Sequence, residues 1–170
     1  MTYRMITDNE IRSLPLHEQF FAMADAYLDA AIRQTEHVNE VADSEWSDAS
    51  VAMFLFAHAT EMFLKAAILL RAPSTKVKDL SHSIRDLVTE YMRLYPGPEY
   101  EGDFRFYTED MPPDTPKSVK AEINSPSMVF RYSVNKENAQ WQTLNGFVAS
   151  MLLRDLQEIK QTFARLRSIF

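Results

Sequence analysis

The chain is 170 residues long, 46% hydrophobic and 25% charged, the balance of a globular protein and the length of one domain. Zero Cys and three Gly exclude a disulfide scaffold, a cysteine zinc site, a thiol nucleophile and a glycine-rich phosphate loop. Eighteen basic residues against 24 acidic ones leave a net charge of −6, which argues against bulk electrostatic capture of DNA or RNA and leaves room only for a local basic patch.

Six of the eight prolines and two of the three glycines lie between Pro96 and Pro126. That cluster divides the chain into helix-rich blocks around an irregular, proline-rich excursion, residues 96–126, within a single domain of residues 1–170. The first thirteen residues hold no apolar signal-like run, so the expected location is the cytoplasm. A first helix is expected from about Leu14 to Val38, with Ser13 as N-cap and Pro15 in the tolerant first turn. Leu16, Phe20, Met23, Ala24, Tyr27, Leu28 and Ala31 recur at steps of three and four and mark its core stripe.

Acidic and capping residues from Asp43 to Asp48 precede a second helix that should end at Ala72, ahead of Pro73. Residues 51–70 are apolar enough to have transmembrane length, but Glu61 and Lys65 fall near the middle. Each charge there would cost about 2.5–3.5 kcal/mol in a bilayer, so the expected role is the buried centre of a bundle and not a membrane span. A third helix should start around Ser81 to Ser83, where Ser83 and Asp86 have capping-box spacing, and should present Ile84, Leu87, Val88, Tyr91 and Tyr95 before Pro96 stops it. Residues 104–107 and 128–132 read as short extended pieces, a small hairpin at most. The last helix is expected from about Lys136 to the end, with Trp141, Leu144, Val148, Met151, Leu152, Ile159, Phe163 and Leu166 on its buried side. The fold class is therefore all-α, a bundle of four to five helices with the proline-rich excursion before a long last helix.

Chemistry has few places to reside. His58, Glu61 and Lys65 share one face of the apolar second helix at steps of three and four. They form either a self-satisfied ion pair with a boundary histidine or the polar lining of a ligand pocket. His82 begins the third helix, where a helix N-terminus favours the neutral ring; it either caps backbone groups or reaches the Glu61/Lys65 stripe. The four histidines (17, 37, 58 and 82) show no pair with helical ligand spacing, and His58 with Glu61 reverses the Glu-x-x-His order of bundle metal sites without a second copy. No metal and no cofactor are expected. Neither a Ser-His-Asp nor a P-loop pattern is present.

The run His58-Ala-Thr-Glu-Met-Phe-Leu-Lys-Ala66, then Asp79-Leu-Ser-His82 with Leu87, then Phe130-Arg-Tyr132 before a long last helix, resembles the HEPN superfamily over roughly residues 16–165. The resemblance implies an all-helical, usually dimeric bundle. Many members are metal-independent RNases of toxin–antitoxin and anti-phage systems; others have lost catalysis and bind RNA, nucleotides or proteins. Catalytic members carry an Arg and, after four to six intervening residues, a His. The matching Arg here is Arg131, but the His positions hold Lys136, Glu137 and Asn138, none of which replaces an imidazole near neutral pH. Arg12 and His17 have the loose spacing, with Pro15 between them and ahead of the first helix.

The expectation is a catalytically silent, dimeric HEPN-like module for a protein partner of antitoxin type or for RNA or a nucleotide, with His58, Glu61, Lys65, His82 and Arg131 as binding residues. Two alternatives stand beside it: an RNase with a rearranged site, and a small-ligand or nucleotide-binding bundle. A homodimer is expected to use the last helix as a seam. Gly146, Ala149 and Ser150 would form a small-residue face there, and Phe163, Leu166, Ile169 and Phe170 an apolar end. The same small face would alternatively meet the first or second helix of its own chain.

Overall fold

The computed structural model describes residues 7–102, 104, 112–132, 134, 138–141, 146 and 148–170. Among them are seven α-helices and no strand: α1 (Asn9–Arg12), α2 (Leu16–Glu40), α3 (Trp46–Arg71), α4 (Ile84–Leu94), α5 (Lys117–Asn124), α6 (Pro126–Arg131) and α7 (Ala149–Arg167). Single turns of 3₁₀ helix, Val77–Asp79 and Pro98–Tyr100, flank α4. The architecture is an all-α bundle, with one isolated antiparallel bridge between Val134 and Gln140.

Alanine spacing sets its centre. Ala24 and Ala31 on α2, and Ala52, Ala59 and Ala66 on α3, are wholly buried. Seven residues is two turns, so each set forms one stripe of small side chains along which two backbones can lie close. The α2–α3 pairing is the most extensive in the molecule, and α3 also meets α4, α6 and α7. Phe21, Leu28, Phe63, Leu64 and Ile68 fill the remaining space. Trp46–Arg71 is long and apolar enough to cross a membrane, yet most of its apolar window is buried inside the bundle, as in the core helix of a soluble protein.

Several helix ends differ from expectation for local reasons. Ser13 closes α1 instead of starting α2; its hydroxyl donates to the Glu10 carbonyl at 2.8 Å, and Pro15 is the N-cap of α2. The α2 core stripe is Phe21, Ala24, Leu28, Ala31 and Thr35, while Leu16 is exposed. Thr35 is tolerated because its hydroxyl donates to the Ala31 carbonyl at 2.8 Å. The Asp48 carboxylate accepts from the Glu45 amide at 3.1 Å, which fixes the start of α3. The start of α4 is as expected, with the Ser83 hydroxyl accepting from the Asp86 amide at 3.3 Å.

The excursion is more ordered than its prolines suggest. Pro116 is the N-cap of α5 and Pro126 the first residue of α6. Proline lacks only an amide that the first turn does not use, so here it starts helices. Residues 128–131 are accordingly helical, which removes the extended segment expected there; Phe104 is a buried core residue, and residues 105–107 lie outside the described residues.

The last helix begins at Ala149, not Lys136. Lys136 and Leu144 lie outside the described residues; Trp141 is non-helical, and its indole N–H donates to the Tyr132 carbonyl. Gly146 precedes the helix, and a Cβ built on it would meet nothing within 4 Å, so no close helix approach explains this glycine. Phe163 stacks on Phe63 of its own chain at 3.8 Å, and Phe170 lies 4.9 Å from Tyr95 and 6.0 Å from Phe21. With Leu166 also fully buried, the apolar end that was to form a dimer seam is largely consumed inside the protomer. Val148 and Met151, expected on the buried side, are exposed.

Candidate functional site

Glu61 sits in the middle of α3 with its side chain 2% exposed, and Lys65, one turn on, is 3% exposed. Burial of two charges so deep requires that each be compensated. Helix geometry brings the Lys65 Nζ to the Glu61 Oε1, to which it donates at 2.7 Å. The same oxygen receives the His82 Nδ1 at 2.9 Å, from 21 residues away in sequence. His58 approaches the second oxygen, Nδ1 to Oε2, at 3.8 Å, the distance of an electrostatic neighbour and longer than a hydrogen bond.

These contacts set the protonation of the site. Burial by itself pushes the Glu61 carboxyl up, but the surrounding His58, Lys65 and His82 outweigh it and hold the group at about 2. Glu61 is therefore a carboxylate throughout the neutral range and can only accept. His82 Nδ1 must carry a proton toward it, so a neutral His82 ring has its lone pair on Nε2. The His82 side chain is 82% exposed, which leaves that outer nitrogen to solvent.

The loop around His82 is fixed by its neighbours. The Ser81 hydroxyl donates to Asp86 Oδ2 at 2.9 Å and accepts from the Ser83 amide at 3.0 Å. With Ser83 capping α4, His82 has no capping role and instead reaches the α3 stripe, the second of the two possibilities the sequence left open.

Arg131 joins the row through aromatic contacts. Its guanidinium lies 5.5 Å from the ring centroid of Phe54 and 5.9 Å from that of Tyr132. Phe54 is stacked on His58, 5.8 Å away and within 9° of parallel, and Tyr27 meets His58 edge-on at 4.6 Å. Arg131, His58, Glu61, Lys65 and His82 thus lie along one side of α3, although they come from three segments. Sequence reasoning missed Tyr27 and Ser81 as supports; the first sits in a hydrophobic stripe, and the second is one serine of a pair.

Elsewhere, Arg12 is tied to Asp8 at 2.6 Å on the surface and His17 lies 3.7 Å from Glu18, so each of that pair has a partner outside the row. Among the described residues no group of three or more His, Asp or Glu converges to hold a metal ion. Chemically, the row offers an imidazole with a set tautomer and an exposed nitrogen, an exposed guanidinium on an aromatic shelf, and an internally neutralised carboxylate behind them. Comparison of the chain with protein-family models, curated proteins and solved structures finds no match.

Proposed function

We propose that this chain is a HEPN-type helical module of the cytoplasm that binds a phosphate-bearing partner, RNA or a nucleotide, without cleaving it. The observation that carries the reading is the charge arrangement of the α3 face. Glu61 is neutralised from within by Lys65, so the groups left facing outward are donors, His82 and Arg131. A guanidinium and an imidazole edge beside an aromatic ring suit phosphate and base contacts. Absence of cleavage follows from Lys136, Glu137 and Asn138 where the family's RNases hold histidine. A toxin–antitoxin or anti-phage setting fits this reading, with a nucleotidyltransferase-like antitoxin in the genomic neighbourhood as its mark.

One observation favours a second reading, an RNase with a rearranged site. Two imidazoles, His58 and His82, flank one ionised carboxylate, and a carboxylate-held imidazole is the usual form of a general base. The two readings separate in one assay: labelled single-stranded RNA incubated with the protein in EDTA, followed by anisotropy and by gel. Binding without cleavage, weakened at least tenfold in Arg131→Ala and in His82→Gln, supports the module. Cleavage lost in His82→Gln supports the RNase. No RNA binding and no thermal stabilisation by nucleotides would leave only a protein partner and end both readings.

The module is also proposed to be a homodimer. Its seam would use the exposed start of α7, Val148 and Met151, since the end of that helix is engaged within the protomer. Light scattering at micromolar concentration should give twice the 19.7 kDa chain mass, and Met151→Asp should halve it. A wild-type protein that scatters as a single chain would reject the dimer.

A further inference from the structure

Many surface cations of this chain already face carboxylates: Arg12 meets Asp8, Arg93 meets Glu90, Lys160 meets Asp29, and Arg167 meets both Glu18 and Asp25. The connection from α3 to α4, residues 72–83, departs from that pattern. Arg71 at its entry and Lys76 and Lys78 within it are exposed, and no carboxylate among the described residues pairs with any of them. Arg71 lies 5.9 Å from the Tyr95 ring, and Asp79 is the single acid between Arg71 and Asp86. A chain of net charge −6 thus carries three unpaired cations around one connection. That connection leads into His82, which the Glu61 carboxylate holds at 2.9 Å.

The other end of the α3 row is aromatic. Tyr132 is 50% exposed, with the Arg131 guanidinium 5.9 Å from its ring centroid and its carbonyl held by the Trp141 indole. A nucleobase can stack on an exposed ring of this kind, beside a guanidinium, only when it is unpaired.

The rise of α3 sets the distance between these features. Arg131 lies at the level of Phe54 and His82 at the level of Glu61, seven residues on. At about 1.5 Å per residue that interval is about 10 Å. α3 continues ten residues past Glu61 to Arg71, about 15 Å more, and the connection with its two lysines spans that interval on its return to His82. Phosphates of a stacked strand advance about 3.4 Å each, so the first interval takes about three nucleotides and the whole about seven.

We infer that the α3 row and the α3–α4 connection form one track for single-stranded RNA, with an unpaired base on Tyr132, a phosphate at His82 and further phosphates on Lys78, Lys76 and Arg71. This rests on the phosphate-binding reading above and narrows it to a strand. A lone nucleotide reaches one end or the other. A duplex keeps its base faces away from Tyr132.

The test is fluorescence anisotropy of the full chain with labelled uridine oligomers of about three and about eight nucleotides, with UMP as competitor. The longer oligomer should bind at least about tenfold more tightly than the shorter, and Lys76→Gln/Lys78→Gln should remove most of that advantage. The same double variant should reduce the slope of log K against log salt by about 1.4, the share of two phosphate contacts on a single strand. Tyr132→Leu should weaken both oligomers at least about fivefold, while Tyr132→Phe, which keeps the ring, should bind as wild type does. Equal affinity for the two lengths would overturn the track and leave the phosphate-binding reading in place. So would a length advantage that survives Lys76→Gln/Lys78→Gln, an unchanged affinity in Tyr132→Leu, or an RNA duplex bound as tightly as the single strand. Failure of the wild-type chain to bind any oligomer or UMP would overturn that reading, and the track with it.

Discussion

The carboxylate of Glu61 and the ring of Phe170 each tie together segments far apart in the chain, and they do so by opposite physics. Glu61 holds Lys65 and His82 through two short, directional contacts of 2.7 and 2.9 Å on a single oxygen. Phe170 touches Tyr95 at 4.9 Å, Tyr100 at 6.1 Å and Phe21 at 6.0 Å, with no direction required of any of them. At the first corner each partner is needed because a buried charge left alone is expensive. At the second, the loss of one ring leaves a space that its neighbours can partly close. The polar corner is therefore specific and pairwise, the aromatic corner diffuse and shared among several rings.

The sharpest way to break that contrast is Glu61→Ala. It leaves the Lys65 ammonium buried without its partner and should cost about 3–5 kcal/mol in urea unfolding. The double variant Glu61→Leu/Lys65→Met should recover most of that loss, since an apolar pair can replace a buried ion pair at little cost. A loss under about 0.5 kcal/mol for Glu61→Ala would mean an exposed pair and remove the contrast. Phe163→Ala, in face-to-face contact with Phe63 at 3.8 Å, should also cost about 3–5 kcal/mol, but no second substitution at a single partner should rescue it.

Acid sharpens the comparison next. The folded Glu61 carboxyl titrates at about 2 against 4.5 for the free side chain. A depressed carboxyl contributes stability that is complete above the unfolded value and is lost as pH falls through the folded one. Between pH 5 and 2, wild type should thus lose about 2–3 kcal/mol more than Glu61→Gln, whereas Phe163→Ala should follow the wild-type slope. Parallel acid limbs for wild type and Glu61→Gln would contradict the buried carboxylate. The smallest effect belongs to Ser83→Ala, which removes the α4 cap and should cost about 1 kcal/mol. Because the Ser81–Ser83 turn also carries His82, this variant should weaken the His82–Glu61 contact, read by NMR as faster solvent exchange of the Nδ1 proton; an unchanged exchange rate would show that Glu61 alone positions the ring.

Much of the α3 row was legible because a helix makes it so. The steps from Phe54 to His58, Glu61 and Lys65 place those four on one face before any tertiary contact forms. The arrival of His82 was one of two open possibilities, and the Arg131 contact with Phe54 was not visible at all. Residues 128–132 read as extended from their β-branched and aromatic content, but a proline in the first turn outweighs that content over six residues. Gly146 invited a packing explanation only while the last helix was taken to include it; a helix that begins at Ala149 removes the reason.

By itself the sequence determined what depends on near neighbours: the helical periodicity of an all-α fold, the stop of α3 before Pro73, the Ser83 cap, and the shared face of α3 on which Glu61 and Lys65 can pair. Each follows from backbone geometry and side-chain spacing within a few residues. Only the tertiary structure decided that His82 bonds Glu61 and that Phe170 closes the aromatic corner. Those contacts join residues 21 to about 150 positions apart, and their formation depends on how whole helices pack. Local pattern carries no information about which surface a distant segment will cover.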